Sequence, residues 1–422
     1  MTSLKILRKY PPACWLVILL LLVFGPSTNE AVAESQSPTV RVATFNASLN
    51  RFAEGQLAVD LAAPGSPQPD AIAEIVQRAR PDVLVINEFD FDAAGLSAQL
   101  FQDNYLAVPH GDADSIVFPY RYLAPSNTGV QSGIDLDNDG FVGGPGDAYG
   151  FGFFPGQFAM VVYSMYPIDT DNVRTFQRFL WRDMPGAMLP IDPATGESWY
   201  SDEQLDVFRL SSKSHWDIPI LVPRETGMGR APDRSTTVHL LASHPTPPVF
   251  DGPEDRNGTR NNDEIRFWAD YVSPALSAYI YDDDGVYGGL APGAKFVIAG
   301  DQNADPFDGD SVPGAIQQIL EHPRVNTRAT PSSVGGPEQA LLQGDANLTH
   351  IGDPAFDTSD FEDSTVGNLR VDYVLPSRNL RIEDSAVFWP ATSDPLFPLV
   401  GTFPFPSSDH RLVWVDVRVQ GR

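Results

Sequence analysis

Apolar residues fall in short continuous runs along this chain, and most of the runs end on a polar side chain. Residues 39–46 alternate and predict a first strand ending at Asn46. Residues 70–80 carry apolar side chains at Ile72, Ile75, Val76 and Ala79, the single stripe of a helix, with Asp70 as its cap. Pro81 ends that helix, and residues 82–88 form a near-continuous apolar run, a buried strand ending at Glu88. This β–α–β opening predicts strands and helices in layers. Further strands are expected over 158–164, 236–244, 294–299, 370–376 and 411–419. Helices are expected over 262–280, interrupted at Pro274, and near 311–321. Residues 110–157 and 165–234 lack such patterning and read as long loop insertions in one domain spanning 34–422.

Composition narrows this picture. The 422 residues are 42% hydrophobic and only 20% charged, enough apolar content for a large core. Residues 1–33 have the layout of a secretory signal: Lys5, Arg8 and Lys9, then an apolar segment too short for a comfortable membrane span, then Ala31-Val32-Ala33. An exported protein, secreted or periplasmic, is therefore expected. The only cysteine is Cys14, inside that signal, so neither a disulfide nor a thiol nucleophile is expected after its removal. The net charge of −27 repels polyanions and gives no footprint for nucleic acid, although metal ions can offset such repulsion locally.

Two kinds of acidic stretch stand out. Asp135, Asp137 and Asp139 alternate before Gly140, as in a calcium loop, but Gly146 stands where the bidentate Glu belongs. Structural calcium there is weighed against a solvated acidic turn. The second kind is the set of polar groups at strand ends: Asn46, Glu88, His244, Asp301, Asn303, Asp372, Asp409 and His410. Singly, each has an ordinary reading as a turn, a cap or a loop histidine. Together they supply hard oxygen ligands for a cation, a base for water and an acid for a leaving oxygen, which is what metal-assisted phosphoester hydrolysis requires.

The ordered motifs Thr44-Phe45-Asn46, Pro81 through Glu88, Ser243-His244, Gly300-Asp301-Gln302-Asn303, Val371-Asp372-Tyr373 and Ser408-Asp409-His410 resemble the endonuclease/exonuclease/phosphatase superfamily. The resemblance covers about residues 39 to 419. It implies the DNase I-like fold, an α/β four-layer sandwich in which two mixed β-sheets face each other between helices. It also implies Mg²⁺, or Mn²⁺ or Ca²⁺ in its place, with Glu88 as main metal ligand, Asn46 assisting and Asp409 as a further ligand. Asp301 and Asn303 would orient the attacking water and contact phosphate. His410 would be the catalytic histidine, held by Asp372, with His244 as the second, and which of the two is base is left open.

The expected partner is a phosphoester substrate, whether small molecule, lipid or nucleic acid, for a monomer with no obligate protein partner. An extracellular nuclease is the first alternative and a calcium-bound binding protein without turnover the second. Arg256 and Arg260 read as a solvated loop pair, with phosphate contact as the other option. His215 reads as a loop histidine or an additional site residue.

Overall fold

A computed structural model describes residues 37–224 and 235–420 of the chain. The expected signal segment, 1–33, lies outside the described residues, as does 225–234 of the expected second insertion. Among the described residues no helix is long and apolar enough to cross a membrane.

The strands along the chain are β1 (Thr39–Leu49), β2 (Val83–Phe89), β3 (Tyr120–Tyr122), β4 (Met160–Ser164), β5 (Arg174–Thr175), β6 (His215–Pro223) and β7 (Ser235–Ser243). They continue as β8 (Lys295–Asp301), β9 (Ser359–Asp360), β10 (Asn368–Leu369), β11 (Asp372–Pro376), β12 (Arg381–Val387) and β13 (Val413–Arg418). One sheet has the order β12-β13-β1-β2-β4-β3, the other β11-β8-β7-β6-β5, and β9 pairs with β10 alone. Each large sheet is mixed. Only β1·β2 and β7·β8 are parallel, and the connections between those strands carry the helices Pro67–Ala79 and Arg256–Tyr271.

The alternation of β8 explains why its sequence is apolar throughout. Val297 and Ala299 belong to the core between the sheets, with Val42, Val415 and Val417 of the other sheet. Phe296 and Ile298 face the opposite way, into a core with Ile265 and Trp268 of helix Arg256–Tyr271. A strand buried on both faces loses its polar alternation. Each buried Val, Ile or Phe among them contributes roughly 1.5–3 kcal/mol of transfer free energy. Helix Pro67–Ala79 packs Ile72, Ile75 and Val76 into the first core. The order is therefore helix, sheet, sheet, helix, the four-layer sandwich expected.

Five expectations need correction. The first helix begins at Pro67 behind Ser66, so Asp70 lies in its first turn and does not cap it. The stretch 165–234 is not a loop throughout, because β6 pairs with β7 over nine residues inside it. Pro219 lies in that strand with its carbonyl accepting from Asp169 N on the side away from β7, where only the single bridge of Ile168 to Ile220 continues the sheet, so its missing N–H costs no bond to β7. The 110–157 stretch contains only the short β3. The helix expected over 262–280 runs instead from Arg256 to Tyr271 and stops ahead of Pro274. The helix expected near 311–321 is a single turn, Gln317–Leu320.

Candidate active site

The strand ends that carry the polar groups meet at one end of the sandwich. Asn87, fully buried on β2, ties the sheets together there. Its Oδ1 accepts from Asp301 N at 3.2 Å and from Thr44 Oγ1 at 3.2 Å, and its Nδ2 donates to Ser243 O. Gly300 permits the close approach of β7 and β8: its φ is 142°, and a Cβ there would lie 2.0 Å from Ser243 O. Ser48, Glu88 and Asn303, none of them glycine, all adopt positive φ, at 48°, 57° and 51°. Such backbone is costly and collects at functional sites.

Glu88 is gripped from both sides. Asn46 Nδ2 donates to Glu88 Oε1 at 3.2 Å and to Asp301 Oδ2 at 3.0 Å, while Asn50 Nδ2 donates to Glu88 Oε2 at 2.8 Å. Asp409 joins through Ser48, whose Oγ donates to Asp409 Oδ1 at 3.3 Å and whose N–H donates to Asn46 Oδ1 at 3.2 Å. These oxygens form an all-oxygen donor set that suits a hard divalent cation. Asp301, Asp372 and His410 form another candidate group, with ligand atoms within 4.8 Å of one another. In that group Asp372 and His410 are already bonded to each other.

That bond runs from His410 Nδ1 to Asp372 Oδ2 and is 2.8 Å long. Two pairings produce it: Asp372 lies opposite Asp301 across β11 and β8, and His410 bridges to Ser359 of β9. Thr358 donates its hydroxyl to the same Asp372 oxygen at 2.9 Å, and Asp372 Oδ1 is buried without a partner. Asp301 stands between two rings, with its Oδ2 at 3.3 Å from His244 Nε2 and 3.8 Å from His410 Nε2. Asn303 donates its backbone N–H to Asp301 Oδ1 and its side chain to Pro245 O.

Their surroundings push the two histidines apart. Burial disfavours the charged ring of His410, but the negative charges of Asp372 and Asp301 outweigh it and raise its pKa. Burial lowers that of His244, and the neighbouring Lys213 ammonium lowers it further, against the pull of Asp301. Burial also raises Asp372 despite the charge on His410. For Asp301 burial is overcome by the charge of His410 and the contact with His244, which hold its carboxyl low.

All eight expected residues therefore meet. Glu88, His244, Asp301, Asn303, Asp409 and His410 line one cavity of about 490 Å³, and Asn46 and Asp372 are bonded to them. Gln302 turns away, toward Ser243 Oγ. His215 is not part of this group. It is a core histidine, bonded to Ser211 Oγ at 2.5 Å and to Glu264 O at 2.9 Å, and burial pushes its pKa down to about 4. Arg256 and Arg260 lie on a helix, not a loop. Arg256 pairs with Glu254, and Arg260 is buried with bonds to the carbonyls of Leu210, Arg209 and Tyr149.

Several contributors carry no signal in the sequence. Asn50 and Thr358 belong to no recognisable motif, and Asn87, inside the Pro81–Glu88 motif, reads only as the residue before Glu88. Glu264 and Asn261 look like the solvent face of a helix, yet both are fully buried. Glu264 accepts from Ser212 N and Thr246 N, and Asn261 donates to Thr246 O and Gln302 O, so they fix the loops that carry His244 and Asn303. Lys213 is buried, its ammonium 3.4 Å from Pro245 O.

In the acidic loop, Asp135, Asp137 and Asp139 bring carboxylate oxygens within 4.8 Å of one another. Gly146 packs against the Asp137 carboxylate, so a side chain at that position would displace Asp137 from the group. Asp147 occupies the next position, its carboxylate taken by Leu136 N and Gly143 N.

The sequence signature of the Endonuclease/Exonuclease/phosphatase family matches residues 43–410, and the chain belongs to that family. No curated protein matches the sequence significantly. Among solved structures, the endonuclease/exonuclease/phosphatase from Beutenbergia cavernae DSM 12333 is 17% identical, with a TM-score of 0.44, over 91% of this chain and 72% of that one. A family protein from Bacteroides thetaiotaomicron is 11% identical, with a TM-score of 0.43, over 92% and 100%. The sphingomyelinase C of Streptomyces griseocarneus is 13% identical, with a TM-score of 0.41, over 90% and 99%.

Proposed function

We propose that this protein is an exported, metal-dependent hydrolase of phosphoester bonds. The observation that carries the reading is the convergence of Asp301, between His244 and His410, on the cavity that also holds Glu88 and Asp409. Glu88, Asn46 and Asp409 would hold the cation, Mg²⁺ or a similar ion, which when bound supplies Lewis-acid polarisation of the phosphoryl oxygen. Asp301 and Asn303 orient water and phosphate beside it. Asp372 fixes the His410 ring through Nδ1, leaving Nε2 toward the reacting centre, and the two histidines divide the proton transfers between them. A binding module has no need of this whole set. Export rests on the N-terminal signal pattern alone.

The test is hydrolysis of bis-p-nitrophenyl phosphate and p-nitrophenyl phosphate with Mg²⁺, Mn²⁺ or Ca²⁺, with plasmid nicking alongside. Turnover is expected to vanish with EDTA and to fall at least about 100-fold in Glu88→Ala. Activity on all three substrates indistinguishable from Glu88→Ala would end the enzyme reading. Faster nicking than small-ester turnover would favour the nuclease.

The acidic loop is the place for structural calcium in this reading. Calcium should raise the melting temperature of the wild type by more than that of Asp137→Ala. Identical melting of both, with and without calcium, would remove the ion from the account.

A further inference from the structure

Beyond the reacting centre the cavity has an unusual wall. Seven carboxylates line it, those of Glu88, Asp301, Asp305, Asp308, Asp310, Glu362 and Asp409, and among the described residues no Lys or Arg does. The nearby cation Lys213 is buried beside Pro245. A polynucleotide needs cationic side chains for the phosphates flanking the scissile one. This cavity offers those phosphates only negative charge, and a low-dielectric cleft focuses that field.

Much of the remaining wall is apolar and reaches His410. Phe361 packs edge-on against His410, with ring centroids 5.3 Å apart. Val249, Phe250 and Leu369 carry the apolar surface outward. The acids along it differ in what they are free to do. Asp305 is taken by the N–H groups of Phe307, Asp308 and Arg370, and Asp308 by those of Ile351 and Gly352. Asp310 and Glu362, which line the same cavity, are exposed to solvent. Aromatic faces next to carboxylates form the usual receptor for an organic ammonium group.

We infer that the cavity selects phosphoesters of small amino alcohols, with the single phosphate at Asp301 and His410 and the ammonium group between Phe250 or Phe361 and the carboxylates of Asp310 and Glu362. This rests on the hydrolytic reading above and names the substrate class for the same site. Discrimination comes as much from repulsion as from attraction: an anionic alcohol meets the exposed carboxylates of Asp310 and Glu362, whereas a cationic one is drawn in.

Isosteric esters test it, with the full chain and its divalent metal. The diester pair is 2-aminoethyl p-nitrophenyl phosphate against 2-hydroxyethyl p-nitrophenyl phosphate. The monoester pair is 2-aminoethyl phosphate against 2-hydroxyethyl phosphate. In whichever pair is turned over, kcat/KM should be at least about tenfold higher for the aminoethyl ester, and the ratio should shrink as salt is added. The double substitution Asp310→Asn with Glu362→Gln should cut that ratio at least about fivefold, a comparison that cancels any general loss of folded enzyme. A wild-type ratio at or below one would overturn the inference, and so would a ratio that survives the double substitution. Absence of turnover on every ester, including bis-p-nitrophenyl phosphate and plasmid, would instead overturn the hydrolytic reading on which the inference rests.

Discussion

His410→Ala should lower kcat about 10³-fold, within the range that a positioned proton-transfer group supplies. Asp372→Ala should cost nearly as much, and the double variant little more than His410→Ala alone. The reason is geometric. Asp372 faces no substrate, being fully buried beneath His410, and its Oδ2 bonds to the ring at 2.8 Å. It acts only by fixing the tautomer and orientation of that ring, so once the ring is gone there is nothing left for it to hold. Residues that act as a unit are non-additive in this way. The readouts are kcat for wild type, both single variants and the double, with melting temperatures to exclude unfolding. Removal of Asp372 also frees the Thr358 hydroxyl, so Asp372→Asn is the control that keeps an acceptor there. If the two single losses multiply in the double variant, the groups act independently and the pairing is not the working unit.

The sequence made the strand-end chemistry legible because the two facing sheets bury β2 and β8 nearly throughout, and β7 over its second half. A strand with no solvent face is a continuous apolar run, and its first polar residue marks where it leaves the core. That is why Glu88, His244 and Asp301 stood out. The same logic failed where burial was not uniform. β12 lies at a sheet edge, and its Arg381, Glu383 and Asp384 face solvent or ion partners, so no apolar run announces it. β6 contains Pro219 and Pro223, which read as loop residues until the pairing shows that these positions turn their nitrogens away from β7. Helix Arg256–Tyr271 was misplaced because its first turns are polar although buried. Arg260, Asn261, Asp263 and Glu264 bond backbone groups of loops distant in sequence, a use visible only when those loops are in place. Lys213 and Asn50 escaped for the same reason, since their meaning depends on chain segments distant in sequence.

A residue that touches neither substrate nor metal should show the second large effect. Arg411 is fully buried, and its guanidinium donates to Asp360 Oδ2 at 2.9 Å, to Ser408 O at 2.8 Å and to His410 O at 3.2 Å. It also lies over the ring of Trp389, 4.4 Å from the centroid. Arg411→Ala leaves the Asp360 carboxylate buried with Gln343 as its remaining side-chain partner and should destabilise the fold by about 3–5 kcal/mol. Most of that loss would be the stranded charge, so adding Asp360→Asn should recover a substantial part of it. Arg411→Lys should fall between, since an ammonium keeps the charge but cannot reproduce the planar fork. The variants separate stability from function. In the Arg411→Ala, Asp360→Asn protein the two carbonyls on the turn that carries Asp409 and His410 still lack their donor, so kcat should remain depressed after stability has partly returned. Urea unfolding gives the stability of each variant, and steady-state kinetics well below the unfolding midpoint gives kcat. A loss under about 1 kcal/mol in Arg411→Ala would mean that water or a local shift compensates Asp360. Full recovery of kcat along with stability would mean that the turn needs no tether.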